Sequence, residues 1–332
     1  MVTRVAINGF GRIGRSVFRL LRQKDDFQVV AINDISDAGT RAHLLKYDSV
    51  RGVYKGEVRA EGENMLVDGE KTTLYAEKDP SALQWAGLGV DLVLESTGMF
   101  STREQCERHL YAGAKKVLLC SAPRGKVDAC IVMGVNEGTL KPTDLIVSSM
   151  SSVTNAMAPP IKVLNESFGI KRGFMTALYA SSGDQVVLDR PHNDLRKARA
   201  AAVSIIPTSI GALGSLGSIL PECNGKLTGT AFRVPVRVGS MLDLVMELDK
   251  MATTEDINRT VKEAAKNSQA GIIEYCEDEI VSVDVAGNPA SCIFDSKCTL
   301  SIGNNLVQAV AWFDNEWGYA NRCVDILKKM AE

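Results

Sequence analysis

The apolar positions of this chain fall into two regimes. In the first half, short apolar runs of strand length alternate with stretches whose apolar residues recur at helical spacing. Val5 to Ile7 forms such a run, Gly9, Gly11 and Gly14 follow as G-x-G-x-x-G, and Arg15 to Arg22 then places Val17, Phe18, Leu20 and Leu21 on one helical face. "FQVVAIND" predicts a second strand ending at Asp34. "VDLVLESTG" and "AKKVLLCSAP" predict two more, ending in Ser96-Thr97-Gly98 and Ser121-Ala122-Pro123, with "STREQCERHLYAGAKK" as a helix between them. Strands alternating with helices in this way predict a doubly wound parallel sheet (α/β, Rossmann type) over residues 1–150.

From Ser151 the pattern changes. A helix is predicted over "SSVTNAMAPPIKVLNESFG", and the double proline inside it is expected to bend it by removing backbone donors. Strand-like runs then dominate: "GFMTALYAS", "LTGTAFRVPV", "SMLDLVMEL", "EIVSVDV" and "ASCIFDSKCTLSIGNNLVQAVAWFDN". Between them "TTEDINRTVKEAAKNS" reads as a helix opened by Thr253 or Thr254, with acids in its first turn. The expectation is an α+β domain with a mostly antiparallel sheet over 151–315, followed by an amphipathic helix, 316–332, that packs back on the first domain.

The glycine motif carries chemistry. Its glycines permit a tight turn, close backbone approach to a pyrophosphate and close packing of helix on strand, while the helix N-terminus offers free N–H groups to the phosphates. Asp34 lies about twenty residues beyond Gly14, where a carboxylate accepts hydrogen bonds from an adenosine ribose. The same carboxylate repels the extra phosphate of NADP, so NAD is the expected cofactor. Small polar residues at the ends of the later strands, Thr97 and Ser121 among them, fall where parallel sheets bind ligands.

Composition narrows the field further. A net charge of -2 leaves no basic excess to neutralise phosphates, which argues against nucleic acid. The eight cysteines are scattered without a C-x-x-C pair or histidines at zinc spacing, so no metal site is expected, and they read as buried thiols of a reducing compartment. No apolar run reaches the length of a membrane span and no signal peptide precedes the first strand, which makes the cytoplasm the expected location.

Nearly the whole chain resembles the phosphorylating glyceraldehyde-3-phosphate dehydrogenase family. The resemblance rests on "INGFGRIGR", "KYDSVRG", "ESTGMF", "AGAKKVLL", "SAP", "VMGVN", "NGKLTGTAFRVPV" and "WFDNEWGYANR". It implies a homotetramer in which residues 184–206 line a neighbouring subunit's cofactor site. It also implies that Gly9, Gly11, Arg12, Ile13 and Gly14 form the pyrophosphate turn and that Asp34 takes the ribose. Lys78 stands where the family usually has an arginine near adenine, Thr97 and Ser121 flank the cofactor, and Asn315 holds the nicotinamide amide with Tyr319 nearby. Arg190 departs from the apolar residue usual in the mobile segment.

The resemblance also implies a reaction that these residues do not supply. The family's nucleophile lies in S-C-T-T-N; here the segment reads Ser151-Ser152-Val153-Thr154-Asn155. Its base lies in H-x-x-T-x-x-Q; here "YASSGDQ" places Tyr179 there. A hydroxyl is a weak nucleophile without a base, and a phenol with an ordinary pKa of about 10 is protonated at neutral pH. The histidines, His43, His109 and His192, match family segments outside its active site. His109 reads as a surface or packing residue.

The residues that would bind the substrate's own phosphate persist as Ser182, Arg196 and Arg233, whereas those for attacking phosphate are replaced by Val153 and Ile210. Two readings follow. One is a repurposed NAD-dependent oxidoreductase acting on a small phosphorylated substrate without an acyl-enzyme, with Ser152 and Tyr179 as candidate catalytic groups and the tyrosine's pKa lowered for proton transfer. The other is a non-catalytic NAD- and sugar-phosphate-binding homologue, a sensor or assembly partner.

Overall fold

The computed structural model describes residues 2–332. The first half runs β1 (Thr3–Asn8), α1 (Arg12–Leu21), β2 (Phe27–Asn33), α2 (Ala38–Lys46), β3 (Tyr47–Asp48), β4 (Gly52–Val53), β5 (Val58–Glu61), β6 (Asn64–Val67), β7 (Glu70–Tyr75), β8 (Leu92–Glu95), α3 (Arg103–Tyr111), β9 (Lys116–Leu119), β10 (Ala129–Cys130) and β11 (Ile146–Ser148). The second runs α4 (Ser152–Phe168), β12 (Ile170–Tyr179), β13 (Ile206–Thr208), α5 (Gly211–Gly214), β14 (Leu227–Arg233), β15 (Ser240–Leu248), α6 (Thr254–Lys266), β16 (Ile273–Cys276), β17 (Cys292–Ile302), β18 (Leu306–Phe313) and α7 (Trp317–Ala331).

Two compact units result. One holds the residues up to 131 together with 137–151 and 320–332; the other holds 132–136 and 152–319, so the division falls inside α7. The first unit is a nine-stranded sheet in the order β10-β11-β9-β8-β1-β2-β7-β6-β5. From β10 to β7 neighbouring strands are parallel, and β6 and β5 extend that edge as antiparallel strands. The strand order reverses beside β1, whose neighbours are β2 and β8, and such a switch point is where open α/β sheets bind ligands. Val5, Ala6 and Ile7 of β1 are fully buried, as Leu94 of β8 is, which explains their continuous apolar runs.

The second unit is a seven-stranded sheet, β13-β14-β12-β15-β18-β17-β16, antiparallel except for the β12–β14 and β16–β17 pairs. β15 alternates strictly between buried and half-buried residues. Thr253 is the N-cap of α6: its hydroxyl accepts from the Asp256 backbone N–H, and the Asp256 carboxylate accepts from the Thr253 backbone.

One expectation needs correction. "EIVSVDV" is not a strand: Ser282–Val285 forms a 3-10 turn, because the Asp284 carboxylate accepts from the Val281 N–H at 2.8 Å and closes the chain locally. α4 runs without interruption through Pro159 and Pro160. Both prolines are buried, along with most of the helix around them, and packing holds the helix where propensity alone would break it.

Candidate functional site

In the first unit the polar residues at the carboxyl ends of β1, β2 and β8 converge. Gly9 has φ +92°, and a Cβ there would lie 2.6 Å from the Thr97 backbone N, so the β8 turn approaches too closely for any side chain. At Gly14 a Cβ would stand 2.2 Å from the Gly9 carbonyl, which sets the close packing of α1 on the turn. Gly11 is different: nothing lies within 4 Å of where its Cβ would be, and this N-cap of α1 has no capping side chain and no acid in the first turn. The helix terminus is therefore open to an anion. Arg12 is exposed and Ile13 half-buried on that first turn.

Asp34 is anchored where β2 ends. Its carboxylate accepts from the Phe10 N–H at 2.7 Å, the Ser36 N–H at 2.9 Å and the Ser36 hydroxyl at 2.7 Å. Burial pushes this carboxyl up, but the bonds from Ser36 and Phe10 and the charge of Arg41 outweigh it and hold it below the usual range. Asp34 is thus ionised at neutral pH and ready to accept from a ribose hydroxyl. Lys78 is exposed beyond the end of β7.

Beneath this rim lies a buried polar chain that the sequence reading missed. The Trp85 indole N–H donates to His109 Nδ1 at 3.1 Å, and because indole can only donate, that nitrogen is the acceptor. His109 Nε2 therefore donates to Glu95 at 3.0 Å. The Asn8 amide donates to the same Glu95 oxygen; the other oxygen accepts from the Thr97 N–H at 2.9 Å and from its hydroxyl. The Asn33 amide in turn donates to Asn8 at 2.7 Å. His109 is fully buried, a packing residue rather than a surface one. The available signal was positional: Asn8, Asn33 and Glu95 each close an apolar strand.

Two buried acceptors complete the picture, one in each unit. Ser121 Oγ has no hydrogen-bond partner among the described residues, although the Ser121 carbonyl accepts from the Ser148 hydroxyl at 2.7 Å. In the second unit Asn315 Oδ1 is likewise buried without a partner. Its neighbour Asp314 is fixed by accepting the N–H groups of Gly287, Glu316 and Trp317. An unpaired buried carbonyl next to a rigid anchor suits a ligand that brings its own N–H, such as a carboxamide. Tyr319 is buried close by in sequence.

These arrangements meet a match along the chain. Residues 3–103 match "Glyceraldehyde 3-phosphate dehydrogenase, NAD binding domain" and residues 151–315 match "Glyceraldehyde 3-phosphate dehydrogenase, C-terminal domain". Glyceraldehyde-3-phosphate dehydrogenase from Geobacillus stearothermophilus is 48% identical over 332 residues, covering 100% of this chain and 99% of the relative. The chain belongs to the glyceraldehyde-3-phosphate dehydrogenase family. The Priestia megaterium enzyme is 48% identical over the same coverage, and that of Thermotoga maritima 50% over 98% of each chain. NAD is the cofactor of this fold, and the cradle of the first unit fits it: an open helix terminus, an ionised Asp34 and the unpaired Ser121 hydroxyl. No helix among the described residues is long and apolar enough to cross a membrane.

The second unit carries the residues that the resemblance assigns to catalysis and to the substrate's phosphate. Ser152 opens α4 and is half-buried, with Val153 half-buried beside it. Tyr179 closes β12 at 8% exposure, and its register partner is Arg233 at the end of β14. The guanidinium of Arg233 stands over the tyrosine ring, 5.1 Å from its centroid. Burial pushes the Tyr179 phenol up to about 12, and the nearby Arg233 charge only partly counters it. The lowered pKa expected for proton transfer is therefore reversed: Tyr179 is a neutral phenol. The Ser182 hydroxyl donates to Asp184. Arg196 is exposed, and its backbone N–H donates to Asp194 at 3.0 Å. Arg190 is exposed in the same segment.

Proposed function

We propose that this protein is a non-catalytic member of its family that binds NAD and a small phosphorylated metabolite, as a sensor or as an assembly partner of an active relative. The observation that carries this is the state of the position-179 phenol. With its pKa near 12 it cannot take a proton from Ser152 at neutral pH, and Ser152 has no other base that the resemblance would supply. Losing a nucleophile and base that act as a unit costs on the order of a million-fold in rate. Gly9, Gly11, Arg12, Ile13, Gly14, Asp34, Lys78, Thr97, Ser121 and Asn315 hold NAD, and Ser182, Arg196 and Arg233 receive the phosphate. Exposed Phe174, Ile302 and Leu306 on the second sheet support assembly into a tetramer. The setting is cytoplasmic.

A second reading is favoured by the intact cofactor cradle: a repurposed oxidoreductase that passes hydride between NAD and a phosphorylated alcohol, aldehyde or ketone. Tyr179 then only donates a hydrogen bond. The deciding experiment follows NADH absorbance when the protein and NAD are mixed with triose and tetrose phosphates, in aldehyde and alcohol forms, with and without inorganic phosphate. No NADH from a protein that binds NAD supports the binding role. Phosphate-independent NADH supports the second reading, and phosphate-dependent NADH overturns both.

A further inference from the structure

We propose that Tyr179 is a platform: the face of its ring holds the Arg233 guanidinium in place for a phosphate-bearing ligand, and its hydroxyl takes no part in proton transfer. This rests on the reading that the pocket takes a phosphorylated metabolite. β12 and β14 run parallel, and Tyr179 and Arg233 are register partners at their last residues, so the two side chains leave neighbouring strands side by side. The guanidinium lies over the ring at 5.1 Å from its centroid, within the range in which a cation is attracted to an aromatic face. Its Nη1 also donates to the carbonyl of Ala180 at 3.0 Å, one residue beyond the ring that carries it. A contact to the ring face and a hydrogen bond to a backbone carbonyl both constrain the planar fork. A defined fork is what bidentate recognition of a phosphate requires.

The platform has something to work against. Asp184 lies close enough for the Arg233 charge to depress its carboxyl, which burial alone would raise and which the Ser182 hydroxyl also helps to depress. An ionised carboxylate beside an arginine competes with any anionic ligand for it. Without the ring, the flexible arginine stem is drawn toward Asp184 and Ser182, and the phosphate loses its partner. The neutral state of the phenol fits this role, since a phenolate is unnecessary and the ring face is what the guanidinium meets.

The hydroxyl and the ring can be separated by substitution. Calorimetric titration of the full-length protein with glycerol 3-phosphate, with glycerol as the unphosphorylated control, is run on wild type, Tyr179→Phe, Tyr179→Leu and Tyr179→Met. Thermal unfolding of each variant identifies any that fails to fold, and Met serves where Leu does. The platform predicts that Phe stays within about twofold of wild type while Leu and Met weaken glycerol 3-phosphate at least tenfold. Loss in Phe equal to that in Leu would assign the effect to the hydroxyl and overturn the proposal, as would full affinity in Leu and Met. A wild type that binds glycerol 3-phosphate no better than glycerol removes the phosphate pocket itself, and the platform with it.

Discussion

At the scale of single residues, the environment of a side chain rather than its type decides its chemistry here. Tyr179 occupies the position where the family resemblance expects a base, yet its burial drives it the wrong way for that work. The shift has a measurable sign. A phenol raised from 10 to about 12 contributes stability that is fully present below pH 10 and is lost as pH rises through the folded value, because the unfolded chain releases its proton first. Between pH 9 and pH 11 the wild type should lose about 1.4 kcal/mol more than Tyr179→Phe, measured by urea unfolding. Equal losses in the two proteins would show that the phenol is not buried as described. His109 makes the same point in reverse: a histidine in a dehydrogenase invites a catalytic role, but its two bonds, from Trp85 and to Glu95, hold it as part of the core.

At the scale of elements, helix ends separate structure from function. α6 begins with a reciprocal cap between Thr253 and Asp256, remote in sequence from every candidate site residue. Removing the cap in Thr253→Ala should cost about 1 kcal/mol while leaving NAD affinity unchanged. Asp314, three residues before α7, is 1% exposed and takes three backbone donors, from Glu316, from Trp317 at the helix start and from Gly287. Asp314→Ala should cost at least about 2 kcal/mol by stranding buried donors, and should weaken NAD binding because Asn315 loses its anchor. Calorimetry with NAD on both variants checks the contrast; a Thr253→Ala that loses NAD as badly would mean that the helix caps act only through global stability.

At the scale of the whole molecule, the cofactor and the fold are linked by mass action. NAD at a hundredfold its dissociation constant should raise the unfolding free energy by about 2.7 kcal/mol, read from denaturant curves with and without it. Gly9→Ala should abolish that increment, because the new methyl group would meet the Thr97 backbone at a residue with positive φ. A full NAD increment in this variant would remove the glycine turn from the cofactor site.

Much of this was legible in the linear pattern, because strand runs, glycine spacing and helix caps are local signals that tertiary contacts reinforce. The doubly wound sheet, the turn at Gly9 and the terminal acid at Asp34 belong to that class. Other features were decided only by folding. The alternating valines of "EIVSVDV" mimic a strand, but one carboxylate three residues on closes a turn instead. The double proline lowers the helix propensity of α4, yet burial of both prolines among their neighbours keeps the helix continuous. The chain from Trp85 through His109 and Glu95 to Asn8 and Asn33 joins residues far apart in sequence, and no periodicity announces it. The sequence alone determined that Ser152 and Tyr179 stand where the resemblance expects a nucleophile and a base, since identity at a position is a local fact. Only the tertiary structure decided the surroundings of Tyr179, because burial and a ring contact depend on a strand brought from more than fifty residues away, with Arg233 at the end of β14.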